Sequence, residues 1–181
     1  ARYRQAQSDR NRRITFWVKG KLAKLSAEGR PDDEFGFVVH GTMADPRWLD
    51  PTVDPNDRTP GTCYLGDPAV VNMSPVGLAR FCSLRSWLSQ WSYDDANGDG
   101  VVCGRDITVP ALVIGNRADD ACTPSHTRRL FEAIGHPDKE MYEIPGANHY
   151  YSGPDQRDTL RQAVGVVTDW LARHDFAKAD S

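Results

Sequence analysis

Apolar residues recur at helical spacing at Ile14, Trp17, Val18, Leu22 and Leu25 and stop short of Gly29, which predicts a helix over 14–25. Leu78, Phe81, Cys82, Leu88 and Trp91 offer a second apolar face and predict a helix over 77–93. The period then changes. Residues 109–115 are apolar on both faces, as in a strand buried between helix layers. Residues 124–134 open on Pro124 and are followed by Gly135, the punctuation of a short helix. Residues 139–144 predict the next strand, and Leu160, Val164, Val167 and Leu171 stripe a final amphipathic helix over 155–174. Strand, helix, strand, helix implies an α/β fold with parallel strands and flanking helices. Two strands do not make a sheet with both faces covered, so more must come from the first half or from another polypeptide.

Between the first two helices the periodicity breaks down. Over 31–75, Pro46, Asp50, Pro51, Asp54, Pro55, Pro60, Gly61, Gly66 and Pro68 forbid long regular elements. The stretch holds too much Trp, Tyr, Val and Leu for a disordered linker, so an ordered, irregular excursion is expected. Residues 177–181 are expected to fray.

Charge and composition narrow the classes. A net charge of -3 and a pI near 5.9 give no electrostatic basis for binding nucleic acid. The local cluster Arg2, Arg4, Arg10, Arg12 and Arg13 reads as a solvated helix face or an interface to a missing segment. No apolar run approaches the roughly 20 residues that cross a bilayer, so a soluble chain without a membrane partner is expected. Its compartment is open between cytoplasm and secretion after processing. The chain begins at Ala1 without a signal-peptide pattern, which suggests a processed product or a trimmed piece. Cys63, Cys82, Cys103 and Cys122 lack the close pairing of zinc or redox motifs, and buried thiols rather than disulfides are expected.

The chemistry concentrates near the end. The strand over 109–115 runs into Asp119 and Asp120, and the strand over 139–144 runs into Pro145-Gly146-Ala147-Asn148-His149. An acid after one buried strand and a histidine after the next is how a hydrolase orients its general base: the acid holds one ring nitrogen, and the other takes a proton from a nucleophile. From Ile107 to His174 the order of strand, acid loop, helix, strand, histidine loop and helix resembles the C-terminal end of an α/β-hydrolase. The resemblance implies that His149 is the general base and that Asp119 or Asp120 is its acid, with Asp119 preferred. The other Asp would serve the loop or cap the following helix. It further implies that 1–106 form a cap or lid and 107–176 the C-terminal lobe. Trp17, Trp48, Tyr64, Trp87 and Trp91 then suit either a lid over an acyl group or ordinary cap packing.

The matching nucleophile is absent. In the family it sits on a sharp strand-to-helix turn, commonly G-x-S-x-G, and none of the ten serines has that flank. Cys63 in Gly61-Thr62-Cys63-Tyr64-Leu65-Gly66 comes nearest, with its second glycine one place too far. Phe35-Gly36-Phe37-Val38-Val39-His40-Gly41 resembles the early strand and His-Gly turn that supply an oxyanion amide in some relatives, but no strand–nucleophile–helix unit follows it. The resemblance therefore implies one chain of a serine-type hydrolase acting on a small acyl ester, thioester or amide. Its serine would lie on a separate N-terminal chain.

One loop points elsewhere. Asp95, Asn97, Asp99 and Asp106 fall at positions 1, 3, 5 and 12 of an EF-hand-like loop with Gly100 at position 6, similar to the dockerin type. Calcium there competes with a plain tight turn, since Asn-Gly and Asp-Gly turn without metal. The plain turn is preferred, and no cofactor is required. A calcium-stabilised, non-catalytic binding or scaffolding domain of hydrolase-like architecture is thus the alternative function.

Overall fold

The computed structural model describes residues 2–39, 50, 52–63, 66–67 and 81–176. The chain divides into two compact units, one formed by 1–49 and 65–99 and the other by 50–64 and 100–181. The 50–64 segment and residues 100–106 thus belong with the C-terminal elements.

In the first unit, α1 (Arg2–Ala27) begins twelve residues before the apolar stripe. Its added turns are polar and are tied by same-face contacts, Gln5 to Asp9 at 2.8 Å and Arg12 to Ser8 at 3.1 Å. The arginines of this stretch include Arg12, paired with Asp94 on the surface. Strand β1 (Gly36–Val38) pairs antiparallel with β2 (Phe81–Ser83). The helix expected over 77–93 is corrected here. Ser83 is extended (φ -85°, ψ 165°) and builds a reciprocal capping box with Ser86, so helix starts only at α2 (Leu84–Ser86) and continues as a π-helical turn, Trp87–Trp91. The Glu34 carboxylate accepts the amides of Leu84 and Arg85 at 2.8 and 3.1 Å, satisfying donors that α2 leaves open. Burial opposes the Glu34 charge, yet the Arg85 and Leu84 amides and the Arg85 guanidinium hold its pKa below the ordinary value.

The core of this unit is Val18, Leu25, Val39, Cys82, Leu84 and Trp87, with Ile14, Leu22, Phe37, Leu88 and Trp91 packed around it. A polar ladder runs beside it. Trp87 Nε1 donates to Thr15 Oγ1 at 3.0 Å, Thr15 donates to Ser92 at 3.2 Å, and buried Asn11 donates to the Trp91 carbonyl at 2.7 Å and accepts the Tyr93 amide at 3.0 Å. Asn11, Thr15 and Ser92, all buried, therefore have the partners that burial demands. No helix among the described residues is long and apolar enough to cross a membrane.

The second unit is α/β, a parallel strand pair with flanking helices. A short helix α3 (Gly100–Cys103) and a 3₁₀ turn (Gly104–Asp106) lead into β3 (Ala111–Asn116). Then follow α4 (Pro124–Ala133), β4 (Lys139–Ile144) and α5 (Gln156–Arg173). β3 and β4 run parallel, in register from Ala111 opposite Lys139 to Asn116 opposite Ile144. Among the described residues the first half adds no strand to this pair. The end of α4 is closed by Lys139, whose Nζ donates to the carbonyls of Phe131, Glu132 and Ile134. Gly135 lies so close to the Arg105 carbonyl that a Cβ would collide with it.

The stripe on α5 differs from expectation. Ala163 and Trp170 are its buried residues, while Leu160, Val164 and Val167 are 44, 55 and 39% exposed. A helix that covers only two strands has more apolar face than sheet to place it on.

At the α5 terminus His174 donates Nδ1–H to the Trp170 carbonyl at 2.9 Å and turns Nε2 to Asp138 at 3.2 Å, stacked on the Trp170 ring. The bond to the Trp170 carbonyl, then Asp138, raises its pKa above the ordinary value. A raised folded pKa means the stabilisation is complete below the unfolded value, about 6.5, and is lost as pH rises through the folded one. The melting-temperature difference between wild type and His174→Gln is expected to be larger at about pH 5.5 than at about pH 8.5. Equal differences at both pH values would refute this.

Candidate active site

The carboxyl ends of β3 and β4 lie side by side because their register ends on Asn116 opposite Ile144. Two further backbone bonds extend the pairing into the loops. The Arg117 amide donates to the Ile144 carbonyl at 3.0 Å, and the Ala118 amide to the Ala147 carbonyl at 2.9 Å. Gly146 takes φ +69°, a left-handed turn that lets the second loop double back. The consequence is that Asp119 and His149, 30 residues apart, meet.

His149 Nδ1 lies 3.1 Å from both carboxylate oxygens of Asp119. The Asp119 side chain is nearly buried and that of His149 is 30% exposed. Asp119 is itself held by the turn that carries it: Oδ1 accepts the amides of Ala121 and Cys122 at 2.7 and 2.6 Å. These are charge-assisted bonds that fix the carboxylate against the ring. In a neutral imidazole, Nδ1 then carries the proton that Asp119 accepts, and Nε2 presents its lone pair. Asp120 takes a different place, accepting the backbone amide of His149 at 3.3 Å. One acid thus orients the ring and its neighbour positions the main chain.

The sequence reading missed several supports. Asn116, the last residue of β3, donates to the Asn148 carbonyl at 2.9 Å and accepts the Tyr151 hydroxyl at 2.6 Å. Asn148 braces the histidine loop, donating to the Ser152 carbonyl and receiving the Ser152 amide. Tyr151 holds φ +51°, and desolvation together with the Asp119 charge raises its hydroxyl pKa against the lowering bond from Asn116. The Pro-rich excursion supplies Asn56, whose amide donates to the Asp119 carbonyl at 2.7 Å, and Asp57, paired with Arg117. An Asn at a strand's carboxyl end and an Asn beside the histidine were the available signals. The contacts from 54–57 had none, because they span about 60 residues. A cleft of about 330 Å³ lies nearby, lined by Asn56, Asp57, Asn116, Arg117, Arg128 and Glu143 among others, and does not include the Asp119–His149 pair.

Other expectations fall differently. Cys63 and Cys82 are buried thiols, but Cys103 and Cys122 are exposed, correcting the expectation that all four are buried. Partial desolvation and the Asp119 charge raise the Cys122 thiol pKa. Trp87 is wholly enclosed in the first unit's core, so it lines no pocket. Trp48, Tyr64, His40 and Gly41 lie outside the described residues. Within the Phe35–Val39 run, Gly36–Val38 pairs antiparallel with β2. Ser83 stands between a strand and a helix, but its hydroxyl is spent accepting the Ser86 amide in an unstrained cap. In the 95–106 loop, the Asp95 carboxylate receives Lys19 Nζ at 2.7 Å and the Ser92 hydroxyl at 2.9 Å. Those bonds lower the Asp95 pKa.

No family model and no curated protein matches the chain. Among solved structures it is similar to a monoacylglycerol lipase from Paleococcus ferrophilus, at 22% identity and TM-score 0.40, over 85% of this chain and 52% of that one. It is also similar to a soluble variant of monoglyceride lipase from Saccharomyces cerevisiae in complex with a substrate analog. That match has 16% identity and TM-score 0.40, over 71% and 46% of the two chains. A third is DcsB in complex with its substrate analogue, at 14% identity and TM-score 0.43, over 89% and 51%. The chain spans about half the length of these proteins.

Proposed function

We propose that Asp119 and His149 are the orienting acid and general base of a serine-type acyl hydrolase of α/β-hydrolase architecture. The nucleophilic serine would be carried by a separate, N-terminal chain. The observation that carries this reading is the contact of Nδ1 with both oxygens of a nearly buried, amide-clamped carboxylate at the carboxyl ends of parallel strands. His149 would take the proton of the serine hydroxyl as its oxygen attacks an ester, thioester or amide carbonyl. It would return the proton to the leaving group, and water would then cleave the acyl-enzyme by the same route. Asp119 stabilises the imidazolium formed in each half. The exposed apolar stripe of α5, and the lack of a third strand beside β3 and β4 among the described residues, support a partner, because parallel sheets are ordinarily covered on both faces.

Native mass spectrometry with fluorophosphonate labelling tests the reading. The expected result is a complex of this 20.2 kDa chain with a second polypeptide that bears the labelled serine. A lone chain with full esterase activity would end the two-chain arrangement. A stable, unlabelled monomer whose melting temperature rises with calcium would support the non-catalytic domain instead.

A further inference from the structure

The loop that holds the acid also brings a thiol to the same place. Asp119, Cys122 and His149 each offer a donor atom, and these atoms all lie within 4.8 Å of one another. The arrangement follows from the local fold. Asp119 Oδ1 accepts the amides of Ala121 and Cys122, which winds 119–122 into a tight turn and returns Cys122 beside its own acid. The histidine arrives from the loop after β4, so the three donors come from two segments locked together by the 117–144 and 118–147 backbone bonds.

We infer that Asp119, Cys122 and His149 form a binding site for a thiophilic divalent cation, zinc foremost. One carboxylate oxygen, one imidazole nitrogen and one sulfur make a mixed set that hard cations such as calcium and magnesium do not select, whereas zinc takes all three. Donors around tetrahedral zinc stand about 3.3–3.8 Å apart, given bonds of about 2.0–2.3 Å. A spread of at most 4.8 Å therefore closes with a small rotation of Cys122, the exposed member of the three. The amide bonds to Oδ1 are the kind of outer support that keeps a ligating carboxylate in place, and they leave Oδ2 to face the ion. Exposure of Cys122 provides a path from solvent, and three protein donors leave a coordination position for water. The site also has a consequence that rests on the hydrolase reading. A cation held between acid and ring displaces the proton shared by Asp119 and His149, so zinc would switch the general base off.

Metal-stripped protein titrated with zinc by calorimetry, and with cobalt(II) by near-ultraviolet absorption, tests the site. Expected are one equivalent per chain and a thiolate-to-cobalt charge-transfer band. Cys122→Ser removes the band and weakens zinc binding by at least about tenfold, while Cys103→Ser changes neither. A second measurement needs no variant: zinc slows alkylation of Cys122 by iodoacetamide but not that of Cys103 in the same sample, read by peptide mass spectrometry. No sulfur band in the wild-type protein, a band that persists in Cys122→Ser, or unprotected Cys122 would each overturn the site. None of these readouts involves hydrolysis, so the metal site and the hydrolase reading stand or fall separately.

Discussion

Under the proposed function, replacing His149 with alanine is expected to lower kcat by about four to six orders of magnitude, while the far-ultraviolet circular dichroism of the chain stays that of the wild type. The size of the effect follows from the position of the ring. With Nδ1 on a clamped carboxylate, the ring is the group to which the proposed mechanism assigns the serine proton, and what remains without it is binding and any oxyanion stabilisation. The fold tolerates the change because the side chain is 30% exposed and its main-chain amide keeps the Asp120 oxygen. The two acids separate in the same assay. Asp119→Asn costs about 10⁴ in kcat, because an amide that keeps its acceptor toward the Ala121 and Cys122 amides turns an N–H toward the ring and favours the wrong tautomer. Asp120→Asn stays within about tenfold, since the amide oxygen still accepts the His149 amide, a bond worth about 1 kcal/mol. If His149→Ala retains activity, or if Asp120→Asn proves the more damaging of the acid changes, the proposed roles are wrong.

Trp87→Ala destabilises the first unit by about 3–5 kcal/mol, read as a lowered urea midpoint at an unchanged slope. Among the described residues Trp87 is the largest fully buried side chain. It touches α1 through Thr15 and packs beside Phe37 at a ring separation of 6.0 Å. Alanine leaves a cavity among the residues packed round the indole, and the Thr15 oxygen loses its donor. Trp87→Phe refills most of the volume and costs less, mainly the lost hydrogen bond, about 1 kcal/mol. Equal losses for the two variants would show that packing is not what Trp87 supplies.

The elements bearing the candidate site were legible because they are local. β3, α4, β4 and α5 lie within a residue or two of their sequence patterns, since a strand apolar on both faces and a proline-opened helix need no distant partner to be recognised. The stretch 77–93 was misread because its apolar residues fit a helical wheel, while Phe81–Ser83 found a strand partner about 45 residues away. Tertiary pairing overrides propensity there. Asn11 was illegible for a similar reason: a polar residue on a helix shows no sign of being buried until the Trp91 carbonyl of the π-turn and the Tyr93 amide beyond it are laid against it.

Order along the chain settled that an acid precedes a histidine across one helix and one strand, because the length between them allows little else. It preferred Asp119 to Asp120 only narrowly, because two neighbours on a loop are hard to tell apart when nothing shows which way the loop turns. The turn closed by the Ala121 and Cys122 amides sets the geometry, with Asp119 against the ring and Asp120 against the backbone amide of His149. The same turn brought Cys122 against both, since proximity across two loops depends on strand register and hydrogen bonding that no linear pattern encodes.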